Sequence, residues 1–269
     1  MVKLENALPI INKLMSENAK VNFNLFYLFL DNEGTTWYTD EKSYIIGQTD
    51  ANRPMWIWMD ENVTQEALAE VEQIIEGGLE ENAKLNVTAD ERIIQPILYS
   101  IAKRKKTIVR GQVPMVIYRC DKVVNSKKAG GHMILSDDTH REIMERFITG
   151  MVWDLARRPM NEGEAENFAK DVAGSANFYL WEDEGQVVSM AMIAHRSETF
   201  ARINTVYTDA SRRGEGYAGM LVGTVTQKIL DEGRIPILYT EQDNVCSNAT
   251  YRRIGYTVCG ELRQFQFGE

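Results

Sequence analysis

The stretch TDASRRGEGYAGMLVG, residues 208–223, joins a predicted strand to a predicted helix through a loop rich in glycine and arginine. A loop that ends a strand and opens a helix directs several backbone N–H groups at one point, and the helix dipole adds partial positive charge there. Gly214 and Gly216 allow a ligand to approach the backbone closely, while Arg212 and Arg213 add positive charge. The stretch therefore predicts a site for an anion such as a phosphate or a pyrophosphate.

Two other phosphate-binding patterns were weighed against this loop. The P-loop string G-x-x-x-x-G-K-[ST] does not occur in the sequence. The string GEGYAG, residues 214–219, satisfies the G-x-G-x-x-G of a dinucleotide-binding Rossmann fold, and Glu241 follows at about the required distance. However, DASRR separates the strand from the first glycine, and the chain after Gly219 is too short for the remaining βαβ units. A Rossmann-type NAD site stays an alternative, as does a plain glycine turn with solvated arginines.

The residues around the loop predict a mixed α/β domain. Apolar residues recur at helical spacing after the loop, and Gly233 is suited to end that helix. The turn DEG before the loop joins two strands as a hairpin. The predicted elements are a strand at 132–135, helices at 138–155 and 161–173, strands at 177–182, 186–195 and 201–208, a helix at 216–231, a strand at 235–240, a helix at 246–254 and two final strands within 256–267.

Two sequence blocks resemble the cofactor site of one enzyme superfamily. Residues 213–218, RGEGYA, match the acyl-CoA loop [Q/R]-x-x-G-x-[G/A] of the GNAT N-acyltransferases. Residues 244–256, NVCSNATYRRIGY, match N-x-x-S-N-x-x-Y-x-x-x-G-[FY], the second half of that site. The blocks occur in the right order at the right spacing. The chain therefore resembles the two-domain bacterial GNAT proteins over about residues 132–269.

The resemblance implies a fold, a cosubstrate and a set of binding residues. The fold class is α/β with a mixed α+β sheet, with the GNAT acyl-CoA fold in the C-terminal half. Acetyl-CoA is the implied cosubstrate, its pantetheine arm pairing with the strand before the loop and its pyrophosphate held by the N–H groups of 213–218. The implied cofactor-binding residues are Val206, Tyr207, Thr208, Arg212, Arg213, Gly214, Glu215, Gly216, Tyr217, Ala218, Gly219, Asn244, Ser247, Asn248 and Tyr251.

The resemblance also implies a general acid. Family members place a tyrosine of the last helix near the thioester sulfur, which corresponds to Tyr251, and a phenol donating to the leaving thiolate acts as a general acid. The alternative for Tyr251 is an aromatic ring that packs under the sheet. Many members also carry a glutamate base on the strand before the loop, but ARINTVYT, 201–208, has no carboxylate. The candidate bases are Glu241, Asp243 and the C-terminal Glu269, of which Glu241 is preferred.

The N-terminal half repeats the order of elements of the C-terminal half. Strand, helix, strand, helix and strand are predicted at 54–59, 64–77, 83–87, 91–103 and 114–120, with Tyr99 near the position of Tyr251. Its counterpart of the glycine loop, DENVTQEALAE at 60–70, is acidic and has no glycine. The hypothesis is an N-terminal α/β domain that is a degenerate GNAT-like repeat; the alternative is an unrelated α+β domain. The predicted boundaries are 1–124, a linker at 125–131, and 132–269.

Composition narrows the class of protein. The chain has 269 residues, 44% hydrophobic and 26% charged, which suits two globular domains. A net charge of −9 disfavours a nucleic-acid partner, and the apolar stretch at 23–30 is too short to span a bilayer. The start MVKLENALPI lacks the apolar core of a signal peptide, and the three cysteines form no C-x-x-C pair, so a cytoplasmic location is expected. The three histidines show no metal-ligand spacing, so no metal is expected.

The predicted function is direct transfer of an acetyl group from acetyl-CoA to an amine in a ternary complex. The acceptor is a small-molecule amine or a peptide amine, and the protein is a monomer or a homodimer without nucleic-acid or membrane partners. The competing hypothesis is a CoA-binding sensor without turnover, because the strand before the loop lacks a carboxylate.

Overall fold

The computed structural model describes residues 2–124, 129–156, 159–161 and 163–268. The chain divides into two compact units. Unit 1 comprises Met1–Ile117, Thr240–Asp243 and Cys259–Glu269, and unit 2 comprises Tyr118–Tyr239 and Asn244–Val258. The domain boundaries expected from the sequence stay a prediction, and residues 125–128 of the expected linker lie outside the described residues.

Unit 1 alternates helices with short, buried strands. All five residues of its fourth strand, MWIWM, are buried, as in a strand covered on both faces. Its elements are β1 (Val2–Leu4), α1 (Leu8–Leu14), α2 (Glu17–Asn22), α3 (Leu25–Leu30), β2 (Thr36–Thr39), β3 (Tyr44–Gln48), β4 (Met55–Met59), α4 (Gln65–Glu81), β5 (Asn86–Ala89), α5 (Glu91–Lys105), β6 (Ile108–Gly111) and β7 (Met115–Arg119), whose last two residues belong to unit 2.

The second half of the chain begins with a short strand and a helix that starts as a 3-10 turn. The Asp137 carboxylate accepts the Thr139 N–H at 2.8 Å and so caps that turn. The elements are β8 (His132–Leu135), α6 (Arg141–Ala156), α7 (Glu164–Val172), β9 (Phe178–Asp183), β10 (Gln186–Arg196), β11 (Phe200–Thr208), α8 (Tyr217–Asp231), β12 (Ile235–Glu241), α9 (Val245–Ile254) and β13 (Thr257–Gly268).

The sheet of unit 1 has the order β1-β2-β3-β4-β5. Its first four strands pair antiparallel, and β4 pairs parallel with β5 from Met55–Val87 to Ile57–Ala89. The C-terminal part of β13 then adds to the sheet, pairing antiparallel with both β5 and β6. Phe265 and Phe267 of β13 are fully buried in the core of this unit, together with apolar residues of α4 and α5.

The sheet of unit 2 has the order β8-β9-β10-β11-β12, again antiparallel except for the last, parallel pair. One face packs on α6 and α7 through a core that contains Phe147, Phe178, Leu180 and Met190. The helix α8 contacts β10 and β11, and its Leu221, Val222, Val225 and Ile229 are buried. This arrangement leaves the loop before α8 at the end of β11.

Most of the predicted elements are confirmed within a few residues, and three differ. Residues 257–268 form the single strand β13 in place of two predicted strands, because Phe265 pairs on one side with β5 and on the other with β6. The strand predicted at 83–87 begins only at Asn86, after a turn in which Leu85 N–H donates to Asn82 O. The helix α4 runs past Gly77 to Glu81. No helix in the part of the chain that the structure describes is long and apolar enough to cross a membrane.

Candidate active site

The strand β11 separates from its parallel neighbour halfway along its length. Within the described chain, pairing of β11 with β12 runs from Phe200–Ile235 to Ile203–Leu238, whereas β11 itself continues to Thr208. Residues 204–208 therefore run beyond the last pair with β12. Backbone groups at an unpaired strand edge can pair with an extended ligand that carries amides. The predicted pantetheine-binding residues Val206, Tyr207 and Thr208 all lie in this separated part of β11.

A bulge bends β11 where the separation begins. On β10 the paired residues step from Met190 to Met192, while on β11 the partners step from Tyr207 to Asn204, so β11 holds one extra residue. Thr205 in this bulge has a positive φ of 53°, which is uncommon for a β-branched residue. Such bulges re-aim a strand and recur beside functional sites. The sequence analysis missed this feature, because the string INTVYT contains no glycine or proline to signal it.

The glycine loop ends at an uncapped helix N-terminus. Asp209 first forms a tight turn by accepting the Ser211 N–H at 2.9 Å. Gly214 has φ +81° and Gly216 has φ +103°, both in the left-handed region that favours glycine. Gly216 is the N-cap of α8 and has no side chain to accept the first N–H groups of the helix. The loop thus leads to the positive end of the helix dipole at a helix start without a side-chain cap, which suits an anion.

Both arginines of the loop are bound to carboxylates of unit 2. Arg212 Nη2 lies 3.3 Å from Asp183 Oδ2, and Arg212 Nε lies 3.2 Å from Glu215 Oε1. Arg213 Nη2 lies 2.5 Å from Asp154 Oδ2, and its guanidinium sits 5.1 Å from the centre of the Tyr207 ring. These contacts hold the loop to β9, α6 and β11. The sequence could not reveal them, because Asp154 and Asp183 are remote from the loop along the chain.

Tyr217, the first residue of α8, joins the same network. Its hydroxyl donates a hydrogen bond to Asp183 and accepts one from Arg212 Nη2. The bond to Asp183 raises the pKa of Tyr217 to about 12. The hydrogen bond from Arg212 lowers the pKa of Glu215 below its usual range. Arg212, Glu215, Tyr217 and Asp183 therefore form one hydrogen-bonded network that supports the loop.

Gly219 lies in the first turns of α8, on the side that faces α9. A Cβ atom at this position would lie 3.8 Å from Thr250 Cγ2 of α9, an ordinary contact distance. Gly223, one turn further along, is similar, with Ile254 Cγ2 at 3.9 Å. An alanine would therefore fit at either position, and the packing of α8 on α9 does not require glycine. Ala218, between Tyr217 and Gly219, is only partly buried in the first turn.

The side chains predicted on α9 are bonded mainly to one another. Asn244 caps the helix by accepting the Ser247 N–H at 3.1 Å. Asn248 is buried; its Nδ2 donates to Asn244 O at 2.8 Å, and its Oδ1 accepts the Tyr118 hydroxyl at 2.7 Å. Tyr118, which the sequence analysis missed, thus holds Asn248 in place. No local signal marks Tyr118, since it lies in β7, far from α9 in the sequence.

Tyr251 lies in a cluster of aromatic rings. Its side chain is buried, with ring centres of Tyr118 at 6.2 Å and Tyr256 at 6.1 Å. Burial raises the pKa of Tyr251 to about 12, against a smaller opposing effect of a hydrogen bond with Ser247. The phenol is therefore protonated throughout the physiological pH range and available as a donor. A Tyr251 that only packs under the sheet, the alternative to a general acid, would have the same ring contacts.

The candidate base Glu241 belongs to unit 1 together with Asp243. The residue as a whole is exposed, but partial burial of its carboxyl group and the negative charge of Asp243 raise the pKa of Glu241 above its ordinary value. Glu269 lies outside the described residues. Within the described residues, no group of three or more His, Cys, Asp or Glu side chains is arranged to hold a metal ion.

Part of the chain matches a known protein-family model. A family model described as FR47-like protein matches residues 183–264, which include β10, β11, the glycine loop, α8 and α9. No curated protein matches the sequence. The described elements give the mixed α/β sheet expected from the resemblance to GNAT proteins.

Three solved structures similar to this chain are described as GNAT-family or GCN5-related N-acetyltransferases. One from Colwellia psychrerythraea is 12% identical with a TM-score of 0.60, and 99% of each chain is covered. One from Kribbella flavida is 13% identical with a TM-score of 0.64, covering 95% of this chain and 97% of that one. One from Sphaerobacter thermophilus is 14% identical with a TM-score of 0.56, covering 84% and 80%. This chain is therefore a GNAT-fold protein along nearly its whole length, with an FR47-like segment at residues 183–264.

Proposed function

We propose that unit 2 binds acetyl-CoA and transfers its acetyl group directly to an amine. The observation that carries this proposal is that the separated end of β11 leads, through Gly214 and Gly216, directly to the uncapped N-terminus of α8. The pyrophosphate would bind the first N–H groups of α8, and the pantetheine arm would extend the edge of β11 at residues 206–208. Acetyl transfer itself is proposed on the similarity in fold to the acetyltransferases.

The proposed reaction balances without a covalent enzyme intermediate. The amine nitrogen attacks the thioester carbonyl carbon, a C–N bond forms, the C–S bond breaks, and sulfur leaves as a thiolate. The amine loses one proton to a base, and the thiolate gains one proton. The Tyr251 hydroxyl would donate a hydrogen bond to the developing thiolate.

The pKa of Tyr251 bears on whether its hydroxyl transfers its proton to sulfur or only donates a hydrogen bond. A phenol with a pKa of about 12 is a weaker acid than a thiol of pKa about 8.5. Complete transfer of its proton to sulfur is therefore uphill, and the side chain acts chiefly by stabilising the anion through a short hydrogen bond. Solvent then supplies the final proton of the CoA thiol.

The base that receives the amine proton is proposed to be Glu241. The strand β11 carries no carboxylate between Phe200 and Thr208, so the base must come from another element. The raised pKa of Glu241 brings it closer to neutral pH, where a general base is most effective. The sensor hypothesis remains the second candidate on the same observation, since a GNAT-like site without a carboxylate on this strand can bind CoA and leave the amine protonated.

The proposal includes the remaining expectations from the sequence. Acetyl-CoA is a cosubstrate and no metal takes part. The acceptor is a small-molecule or peptide amine, the protein is a monomer or a homodimer, and neither nucleic acid nor a membrane is a partner. The cytoplasmic location is likewise a proposal. Its support is the cysteine pattern, in which Cys120, Cys246 and Cys259 are free thiols.

Thermal unfolding with separate additions of acetyl-CoA, CoA and NADH tests the cofactor. A ligand at a hundredfold excess over its dissociation constant stabilises the native state by about 2.7 kcal/mol. We expect a higher midpoint with acetyl-CoA and CoA in the wild type and no shift in Gly216→Glu, whose carboxylate and Cβ atom oppose both the anion and the left-handed backbone. Gly223→Ala is the matched control, because its Cβ atom meets Ile254 at an ordinary distance.

The outcomes separate the competing functions. A shift with NADH alone would favour the Rossmann alternative. A shift with CoA and acetyl-CoA, followed by release of free thiol when amines are added, supports the transferase. The same shift without thiol release from any amine supports the sensor.

A further inference from the structure

Arg202 occupies the centre of the unit 2 sheet. It pairs with Ile237 of β12 on one side and with His195 of β10 on the other. Two residues along β11, Asn204 pairs with Met192, which packs on the core under α6 and α7. Side chains two residues apart on a strand share a face, so Arg202 points to the same face as Asn204. This is the face that packs on α6 and α7, and Ile203 points to the opposite face.

Among the residues that the structure describes, no carboxylate forms an ion pair with the Arg202 guanidinium. Its Nε–H is buried and donates to no acceptor in the described chain, and the described ion pairs include none with Arg202. The guanidinium carbon lies 5.9 Å from the centre of the Tyr239 ring. Arg212 and Arg213, by contrast, each hold a carboxylate.

Arg202 as a whole is partly buried, but its Nε is cut off from water, and a charged group that loses water contacts without gaining a partner is unfavourable. Burial lowers the pKa of Arg202, but an arginine keeps its proton at neutral pH, so the charge persists. A guanidinium matches a carboxylate by two parallel hydrogen bonds, a geometry that lysine cannot reproduce. The side chain is thus arranged to receive an anion from outside the protein.

The position of Arg202 relates this anion to the proposed reaction. Pairing of β11 and β12 ends at Ile203–Leu238, one residue beyond Arg202. In the proposed complex the pyrophosphate lies at α8, the pantetheine arm follows β11 inward from Thr208, and the thioester lies at the inner end of the separated segment. Arg202 is next to that end, on the face that packs on α6 and α7.

We propose that Arg202 binds the carboxylate of the acceptor and that the acceptor is an amino acid, an amine that carries its own carboxylate. This inference rests on the proposed function. With the carboxylate on Arg202, the amine is held toward Asn204 and the thioester. Binding of the carboxylate also supplies the counter-charge that the described residues of the chain do not.

The test compares amino acids with the same amines lacking a carboxylate. Glycine is paired with methylamine, alanine with ethylamine, phenylalanine with 2-phenylethylamine, and so on through the common amino acids. We expect the wild type to acetylate a member of the amino-acid set in preference to its decarboxylated partner. Arg202→Gln should lower kcat/KM for that amino acid on the order of 10- to 100-fold, which corresponds to the loss of a charge-assisted hydrogen bond. It should change kcat/KM for the matching amine by less than about twofold.

Two further variants separate binding from structure. Arg202→Lys keeps the charge without the planar fork and should recover part of the lost kcat/KM. Arg141→Gln removes an exposed arginine at the start of α6, where it pairs with Asp138. This variant should leave kcat/KM unchanged for both the amino acid and the amine. An unchanged acetyl-CoA-induced midpoint shift in each variant shows that the fold and the cofactor site are intact.

The outcomes distinguish this inference from the proposed function. Absence of a midpoint shift with acetyl-CoA in the wild type overturns the proposed function, and the inference with it. Acetyl-CoA binding with no acetylation of any amino acid, equal rates for amino acid and amine, or equal losses for both in Arg202→Gln overturns the inference alone. A loss confined to the amino acid supports it.

Discussion

Units 1 and 2 have the same succession of elements and differ where a cofactor would bind. Each begins with a strand, continues through helices to three antiparallel strands, and then alternates helix, strand and helix. In each, the fourth strand pairs parallel with the fifth, β4 with β5 and β11 with β12. The differences lie in one loop, one strand edge and one tyrosine. The same chain order therefore builds two units, of which only unit 2 has the features of an anion site.

The loops between the fourth strand and the next helix are opposite in character. In unit 1 the Thr64 hydroxyl accepts the Ala67 N–H at 3.3 Å and caps α4. Hydrogen bonds from its own backbone N–H and from Thr64 lower the pKa of Glu66, so a carboxylate of the protein already occupies that helix N-terminus. In unit 2 Gly216 leaves the N-terminus of α8 open. A helix N-terminus binds an external anion only where the chain has not supplied its own acceptors.

The strand edges and the tyrosines also differ between the units, and in both cases it is unit 2 that has the feature suited to a cofactor. After the last parallel pair, Ile57–Ala89, β4 ends at Met59, whereas β11 runs on from Ile203 to Thr208. Tyr99 on α5 is 49% exposed, while Tyr251 on α9 is 7% exposed. Unit 1 therefore has neither a long free strand edge nor a buried phenol at the matching position. The shared order of elements is compatible with the hypothesis of a degenerate repeat, which stays a prediction that the following experiments sharpen or break.

The largest expected effect is on turnover when the phenol of Tyr251 is removed. Tyr251→Phe should lower kcat by about 10²- to 10⁴-fold, because the developing thiolate loses its hydrogen-bond donor. The dissociation constant of acetyl-CoA should stay nearly unchanged in isothermal titration. Tyr99→Phe is the matched control in unit 1 and should retain full activity. Equal activity of the two variants would place the chemistry elsewhere.

A smaller effect is expected on cofactor affinity when negative charge enters the loop. Gly214→Asp tolerates the left-handed backbone but places a carboxylate beside the predicted pyrophosphate, which should weaken acetyl-CoA binding by about 100-fold, or about 3 kcal/mol. Gly214→Asn, of the same shape without the charge, should weaken it much less. Asn62→Asp makes the same change two residues before the N-cap of α4 and should have no effect. Loss of binding in Asn62→Asp would show that unit 1 also binds the cofactor.

Alkaline pH should destabilise the protein through its buried phenols. Because the native pKa of Tyr251, about 12, exceeds the unfolded value of about 10, the native state holds a proton that the unfolded state loses. The free energy of unfolding should therefore fall as the pH rises above about 10, by up to about 1.4 kcal/mol per pH unit for this group. Urea unfolding at several pH values would show a shallower decline in Tyr251→Phe. An identical slope would mean that the phenol is not protected.

The smallest expected effect is the loss of a cap in unit 1. Thr64→Ala should lower the free energy of unfolding by about 1 kcal/mol, because it removes the acceptor for the first turn of α4. Acetyl-CoA affinity should not change. A concurrent drop in affinity, measured by titration on the folded variant, would contradict the separation of roles between the two loops.

The sequence predicted the elements well where a local signal exists. The glycines of the loop, the turn DEG with Glu184 and Gly185 at positive φ, and the end of α9 at Gly255 were all visible as single-residue preferences. Features that depend on distant partners were not. The bulge at Thr205, the engagement of Arg213 by Asp154 and the support of Asn248 by Tyr118 each require the folded chain.

By itself the sequence determined that a glycine loop opens an apolar helix after a strand, which is enough to predict an anion site and the GNAT fold. Tertiary structure alone decided which side chains are engaged. The two arginines beside the glycines, conspicuous in the sequence, hold carboxylates of the protein. Arg202, inconspicuous in the sequence, is partly buried without a carboxylate partner among the described residues. The physical reason is that charge compensation depends on distance through space, and the residues that supply it are far apart along the chain.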